Sequence, residues 1–256
     1  MMPLPLDKQI VLVTGAGRGL GAAIATAFAG EGARVAINYR NSRDKAERLA
    51  GELGPNAAAF RSDITDEHAV SHLIGEVAAR FGQPPTTVVH NALADFSFNG
   101  DARSKLDDMR WEEIAAHMET GVKGLLNLIR ATRPSMTAQR FGRMIAIGTN
   151  LFQNPVVPYH DYIAAKAALL SLTRTAAAEL GPHGITVNMV SGGLLRTTDA
   201  SSATPEAVFE LIAANTPLRR VCTPEEAADA VLFFASPWAR AVTGQNLIVD
   251  GGLVFG

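Results

Sequence analysis

Short runs of β-branched and apolar residues alternate with longer alanine-rich stretches along the whole of this 256-residue chain. The short runs at 10–13, 34–39, 57–61, 87–90, 143–147, 186–190 and 246–249 predict seven strands. The longer stretches near 20–30, 43–53, 66–81, 108–138, 160–180 and 224–236 predict helices. Regular strand–helix alternation predicts an α/β fold: a doubly wound parallel sheet with helices on both faces. Right-handed crossovers would collect the C-terminal ends of the strands along one edge, where such sheets bind ligands. No linker, repeat or low-complexity tract interrupts the pattern, so residues 1–256 are expected to form one domain.

The first strand runs directly into Thr14-Gly15-Ala16-Gly17-Arg18-Gly19-Leu20-Gly21, and a helix follows. Glycines allow positive φ and close approach of backbone to a phosphate. The N–H groups and dipole of the next helix then stabilise an anion. Gly15, Gly19 and Gly21 are therefore candidates to hold a dinucleotide pyrophosphate, and Arg18 and Leu20 of the same loop are candidates to bind the cofactor.

The second strand bears on which dinucleotide. An acidic residue ~20 positions past the glycines binds the ribose 2′-hydroxyl of NAD, yet residues 32–43 contain no Asp or Glu. They offer Asn38-Tyr39-Arg40-Asn41-Ser42-Arg43 instead. A 2′-phosphate would find Arg40 beside Tyr39, with Ser42, Arg43 and Arg18 in reach, and guanidinium–phosphate bonds are strong. The expected cofactor is NADP(H).

Tyr162 and Lys166 are four apart in a stretch of helical composition, and so share one face. A phenol of pKa ~10 is a poor acid–base group at neutral pH. A nearby ammonium is expected to lower it by ~1–3 and make Tyr162 a proton donor to a carbonyl oxygen. Together with the glycine turn, the pair predicts hydride transfer between a nicotinamide and a ketone or alcohol. Lys166 could also hold the nicotinamide ribose.

Composition narrows the class further. The 23 basic and 25 acidic residues leave a net charge of −2 without long runs of one sign, which gives no support for nucleic-acid or anionic-membrane binding. One cysteine, Cys222, cannot form an intrachain disulfide, and the first residues lack a secretory pattern. No apolar run approaches a bilayer span. A cytoplasmic enzyme is expected. His68 and His72 have i,i+4 spacing but no evident third ligand, so no metal site is read.

The glycine run, Asp63-Ile64, His90-Asn91-Ala92, Tyr162 with Lys166, Val187-Asn188, Gly193 with Thr197, and Val242-Thr243-Gly244-Gln245 with Val249-Asp250-Gly251-Gly252 resemble the short-chain dehydrogenase/reductase family. The chain is most similar to its β-ketoacyl-acyl-carrier-protein reductase group. The resemblance implies one Rossmann-type domain, often a tetramer, acting on a small-molecule or acyl-thioester substrate. It implies that Asp63 and Ile64 border adenine, that Asn91 with Ala92 lines the cleft, and that Gly193 and Thr197 reach the nicotinamide end. The family's catalytic serine falls on Thr149, whose hydroxyl keeps the donor, with Asn150 as an alternative.

Four positions, in three places, depart from the family pattern. Besides Thr149, its catalytic asparagine, which helps hold a water linking lysine to solvent, falls on Gly121, and His90 and Leu93 replace an asparagine and a glycine. Tyr159 lies seven before Lys166, the spacing of the family's enoyl reductases, which keeps an enoyl-thioester reductase as an alternative. Gly121 and Thr149 keep a catalytically weak nucleotide-binding regulator as another. Residues 194–221 are the expected substrate lid, with Phe96, Phe98, Phe152 and Val157 as further apolar walls.

Overall fold

The computed structural model describes residues 4–94, 103–196, 198 and 200–255. Seven parallel strands form one sheet in the order β3-β2-β1-β4-β5-β6-β7. They are β1 (Ile10–Val13), β2 (Arg34–Tyr39), β3 (Ala57–Arg61), β4 (Thr87–His90), β5 (Gly142–Thr149), β6 (Ile185–Gly192) and β7 (Asn246–Val249). The helices are α1 (Gly19–Gly30), α2 (Arg43–Leu53), α3 (Glu67–Phe81), α4 (Trp111–Met118), α5 (Gly124–Gln139), α6 (His160–Leu180), α7 (Glu206–Asn215) and α8 (Pro224–Ala235).

Strand side chains alternate between faces, and here both faces are apolar because both are covered. Val11, Val13, Val35, Ile37, Ile145 and Ile147 pack with Ile24 and Phe28 of α1 and Val231 and Phe234 of α8. Ile10, Leu12, Val88, Met144 and Val187 pack on the other side with Leu73 of α3, Leu125 and Leu128 of α5, and Leu169 of α6. Strand order reverses between β1 and β4, which opens a crevice at their C-terminal ends.

Local chemistry sets several boundaries. Asp66 caps α3 by accepting the N–H groups of His68 and Ala69. Thr223 and Glu226 form a reciprocal capping box at the start of α8. The predicted helix at 108–138 is two helices, α4 and α5, joined by a π-turn at Glu119–Lys123. Strands β5 and β6 run longer than the apolar pattern predicts, and their last pair places Thr149 opposite Gly192. Helix α7 lies in the stretch expected only to be a lid. Among the described residues, no helix is long and apolar enough to cross a membrane.

Candidate active site

The glycine turn is shaped as a cradle. Gly15 has φ +62°, and a Cβ there would stand 2.9 Å from the Ala92 Cα. A Cβ on Gly21 would lie 2.5 Å from both Asn91 Nδ2 and the Gly15 carbonyl oxygen. Gly19 has φ +55°, and Arg18, at the N-cap of α1, gives no side-chain cap to the first turn. Leu20 follows in that turn, half-buried. Twelve residues of helix thus begin with backbone donors facing the crevice, an arrangement that fits a pyrophosphate.

Asn91 and Ala92 serve this cradle from beneath. The Asn91 amide donates to the carbonyls of Thr14 at 3.0 Å and Gly15 at 3.2 Å. The backbone N–H groups of Asn91 and Ala92 both donate to the Thr14 hydroxyl at 3.0 Å. Their expected place in the cleft wall is therefore combined with holding the turn's shape.

At the end of β2, Tyr39 is buried and Arg40 is exposed. Arg40 Nη1 lies 3.6 Å from Asp63 Oδ2, with both side chains half-exposed. Burial disfavours the Asp63 carboxylate, but bonds from Thr65 and the charge of Arg40 outweigh it and hold its pKa below the ordinary value. Ile64 turns its side chain into the core, so only its backbone is left to border a ligand. Ser42 Oγ would be 2.5 Å from a Cβ on Gly17, which brings the turn after β2 against the glycine loop.

The second half of the site stands at the ends of β5 and β6. Thr149, Tyr162 and Lys166 are all buried. The Tyr162 hydroxyl is hydrogen-bonded to the Thr149 side chain. Lys166 Nζ donates to the Ile147 carbonyl at 2.6 Å and lies 5.6 Å from the centre of the Tyr162 ring. The acidified phenol expected from the sequence is not what this environment produces. Burial pushes Tyr162 up to about 12, against the pull of its bond to Thr149, and burial pushes Lys166 down to about 8. Burial disfavours the charged form of each group, yet at neutral pH the lysine still keeps its proton and the phenol keeps its own.

Asn150 is not available as the alternative donor. Its amide is committed to Asp250 Oδ2 at 2.8 Å, and that carboxylate also accepts the N–H groups of Gly252, Leu253 and Val254. Gly193 fits closely here, since a Cβ would be 3.0 Å from Asp250 Cβ. Thr197, Phe96 and Phe98 lie outside the described residues. Tyr159, just before α6, is buried with the Arg103 guanidinium 5.7 Å from its ring centre.

Sequence reasoning missed a buried ionic cluster behind Tyr162. Asp161 pairs with Arg103, and its Oδ2 lies 3.4 Å from His117 Nε2. Its Oδ1 accepts the Tyr162 backbone N–H at 2.8 Å. The His117 ring meets Tyr162 edge-on, with centres 6.0 Å apart. An acid immediately before the tyrosine was the available signal. Arg103, His117, Thr120 and Asp161 also line a cavity of about 450 Å³ that extends to Arg40 and Thr65.

Comparison with known proteins agrees with this geometry. A family model described as enoyl-(acyl carrier protein) reductase matches residues 15–254. The 3-oxoacyl-(acyl-carrier-protein) reductase FabG of Staphylococcus epidermidis is 32% identical over 249 residues, covering 96% of this chain and 99% of that protein. Its Escherichia coli counterpart is 32% identical over 247 residues, covering 96% and 98%. A 3-ketoacyl-(acyl-carrier-protein) reductase from Brucella melitensis, solved with NADH, superposes with a TM-score of 0.87 at 27% identity, over 98% of this chain and 100% of that one. A gluconate 5-dehydrogenase from Burkholderia cenocepacia, solved with NADP and tartrate, gives 0.87 at 29% identity, over 97% and 96%. With relatives above 30% identity across nearly its whole length, and a glycine cradle beside a buried tyrosine–lysine pair, the chain belongs to the short-chain dehydrogenase/reductase family of nicotinamide-dependent oxidoreductases.

Proposed function

We propose that the protein is an NADP(H)-dependent reductase of 3-oxoacyl thioesters, with Tyr162, Lys166 and Thr149 at the reacting carbonyl. The observation that carries this reading is the hydrogen bond between the Thr149 and Tyr162 hydroxyls, beside a lysine fixed by β5. The relatives at 32% identity are named for that reaction.

Gly15, Arg18, Gly19, Leu20 and Gly21 would hold the pyrophosphate, with Asn91 and Ala92 bracing them. Asp63 and Ile64 would border the adenine, while Gly193 and Thr197 would close on the nicotinamide end. Arg40, beside Tyr39, would take the 2′-phosphate. Its pairing with Asp63 is half-exposed and worth no more than about 1 kcal/mol, so the guanidinium can turn at little cost. The bound nicotinamide supplies or accepts hydride.

Tyr162 stays protonated across the neutral range and is therefore ready to give its proton to the substrate oxygen. Thr149 fixes the hydroxyl's direction and, once its single hydrogen turns from Tyr162 to the substrate oxygen, would be a second donor there. Lys166 places positive charge at the ring face, where it stabilises phenolate once the proton has left. Residues 194–221, with Leu195 and Phe209 turned inward, would cover the substrate and exclude water. A cytoplasmic location, suggested by composition, and a homotetramer, implied by the family resemblance, complete the reading; light scattering in solution checks the assembly.

The description of the matching family model favours a second reading, an enoyl-thioester reductase using Tyr159. The hydrogen bond between Thr149 and Tyr162 favours the other tyrosine and weighs against it. Assays with acetoacetyl and crotonyl thioesters, each with NADPH and NADH, separate the two. Oxidation of NADPH by the acetoacetyl thioester is expected. Turnover with the crotonyl thioester alone would replace the reading.

A further inference from the structure

His90 ends β4 and is buried at 2% exposure. Its Nε2 lies 2.8 Å from the carbonyl oxygen of Gly121. A carbonyl only accepts, so Nε2 carries the hydrogen and Nδ1 is left as an acceptor. Nδ1 faces the Thr14 hydroxyl at 3.5 Å, the same hydroxyl that supports the glycine cradle through Asn91 and Ala92.

The Gly121 carbonyl belongs to the π-turn at Glu119–Lys123 and also accepts the Gly124 N–H. The imidazole ties that oxygen, and the backbone of Thr120 beside it, to the end of β4. Gly124 makes room for the ring, since a Cβ there would be 3.2 Å from His90 Cε1 and 2.8 Å from Ile64 Cδ1. Gly121 is different: a Cβ there would meet nothing within 4 Å. What constrains that position is its carbonyl rather than space for a side chain.

The same turn packs against α6, the helix that carries Lys166. Charge on Lys166 bears on His90 and, with burial as the larger cause, pushes the imidazole down to about 4. From the α4 side His117 also feels Lys166, together with Asp161 and Arg103. A neutral ring thus sits where a charged one would oppose the ammonium.

We propose that His90 is a positioning residue for Lys166: by donating from Nε2 to the Gly121 carbonyl it pins the π-turn to β4 and keeps water from the ammonium's surroundings. The inference rests on the reading that Lys166 acts with Tyr162. Loss of the pin would let water in, and a better-solvated ammonium keeps its proton to higher pH.

The test combines histidine tautomer measurement on the unmodified chain with His90→Phe and His90→Gln. In ¹⁵N-histidine spectra, the resonance that vanishes in His90→Gln should be a neutral Nε2–H tautomer from pH 6 to 8. In single-turnover reduction of an acetoacetyl thioester by NADPH, His90→Phe should lose about tenfold in rate, with its alkaline limb moved upward. NADPH affinity should change by less than about threefold, and His90→Gln, which keeps a donor, should recover most of the rate. An Nδ1–H or protonated ring at pH 7 would overturn the proposal, and should neither variant fold, the His90 resonance is assigned instead by backbone-to-ring correlations in the unmodified chain. So would equal behaviour of the two variants, or an unmoved alkaline limb. Tyr162→Phe is measured alongside: retained turnover there would remove the reacting pair itself, whereas its loss, with the two His90 variants alike, would remove only the role of His90.

Discussion

The Lys166 ammonium nitrogen lies 5.6 Å from the centre of the Tyr162 ring while donating to the Ile147 carbonyl at 2.6 Å. Strand β5 thus fixes the cation at the face of the phenol. The same strand ends at Thr149, so one element orients both the charge and the hydroxyl that serve Tyr162.

On the proposed reading, removal of the Thr149 hydroxyl would remove a donor to the developing oxyanion. Thr149→Ala should lower kcat by about 10²–10³-fold, whereas Thr149→Ser should stay within about tenfold of the unmodified enzyme. Steady-state kinetics with an acetoacetyl thioester check this. Equal activity in all three proteins would take Thr149 out of the chemistry.

Arg40 gives a prediction about the cofactor alone. Its half-exposed pairing with Asp63 contributes at most about 1 kcal/mol, so Arg40→Ala should lower the temperature of thermal unfolding by no more than about 4 °C. The KM for NADPH should rise about tenfold, with the value for NADH nearly unchanged. A parallel rise for both cofactors would show that Arg40 does not meet the 2′-phosphate.

The cluster behind Tyr162 should matter to folding. Asp161 is buried with Arg103 and His117 against one carboxylate oxygen and the Tyr162 N–H against the other. Asp161→Ala removes this carboxylate from the Arg103 guanidinium and from the Tyr162 N–H, and should cost about 3 kcal/mol in urea unfolding. A loss below about 1 kcal/mol would place the cluster among ordinary surface pairs.

His90 sets the response to acid. Its folded-state pKa of about 4 lies below the ordinary 6.5, so between those values the unfolded chain binds the proton and the folded chain refuses it. Stability from this residue is complete above pH 6.5 and falls as pH drops towards 4, by about 3 kcal/mol in all. His117, also held down chiefly by burial, adds loss in the same direction. The share of His90 is the difference between the unmodified chain and His90→Gln in urea titrations at pH 7 and 5. A difference that did not shrink towards acid pH would contradict the buried neutral imidazole.

The fold was legible because strands buried on both faces are written as apolar runs, and the glycine turn marks the first crossover. Helix α7 was not, since its isolated apolar positions, with Phe209 alone fully inward, also suit a covering loop. The break between α4 and α5 escaped because a π-turn changes hydrogen bonding without disturbing an apolar pattern that the flanking helices continue. That Tyr162, Lys166 and Thr149 lie together could be expected from spacing and resemblance, but the direction of the Tyr162 shift could not. It depends on how dry the site is, and dryness comes from packing. Arg103 and Asp161 are 58 positions apart, and only the tertiary fold joins them.

The most direct measurement is the rate of NADPH oxidation by an acetoacetyl thioester in Tyr162→Phe, set beside Tyr159→Phe. Turnover should be abolished in Tyr162→Phe and retained in Tyr159→Phe, with NADPH still bound by both proteins. Retained turnover in Tyr162→Phe, or its loss only in Tyr159→Phe, would contradict the assignment of the proton donor.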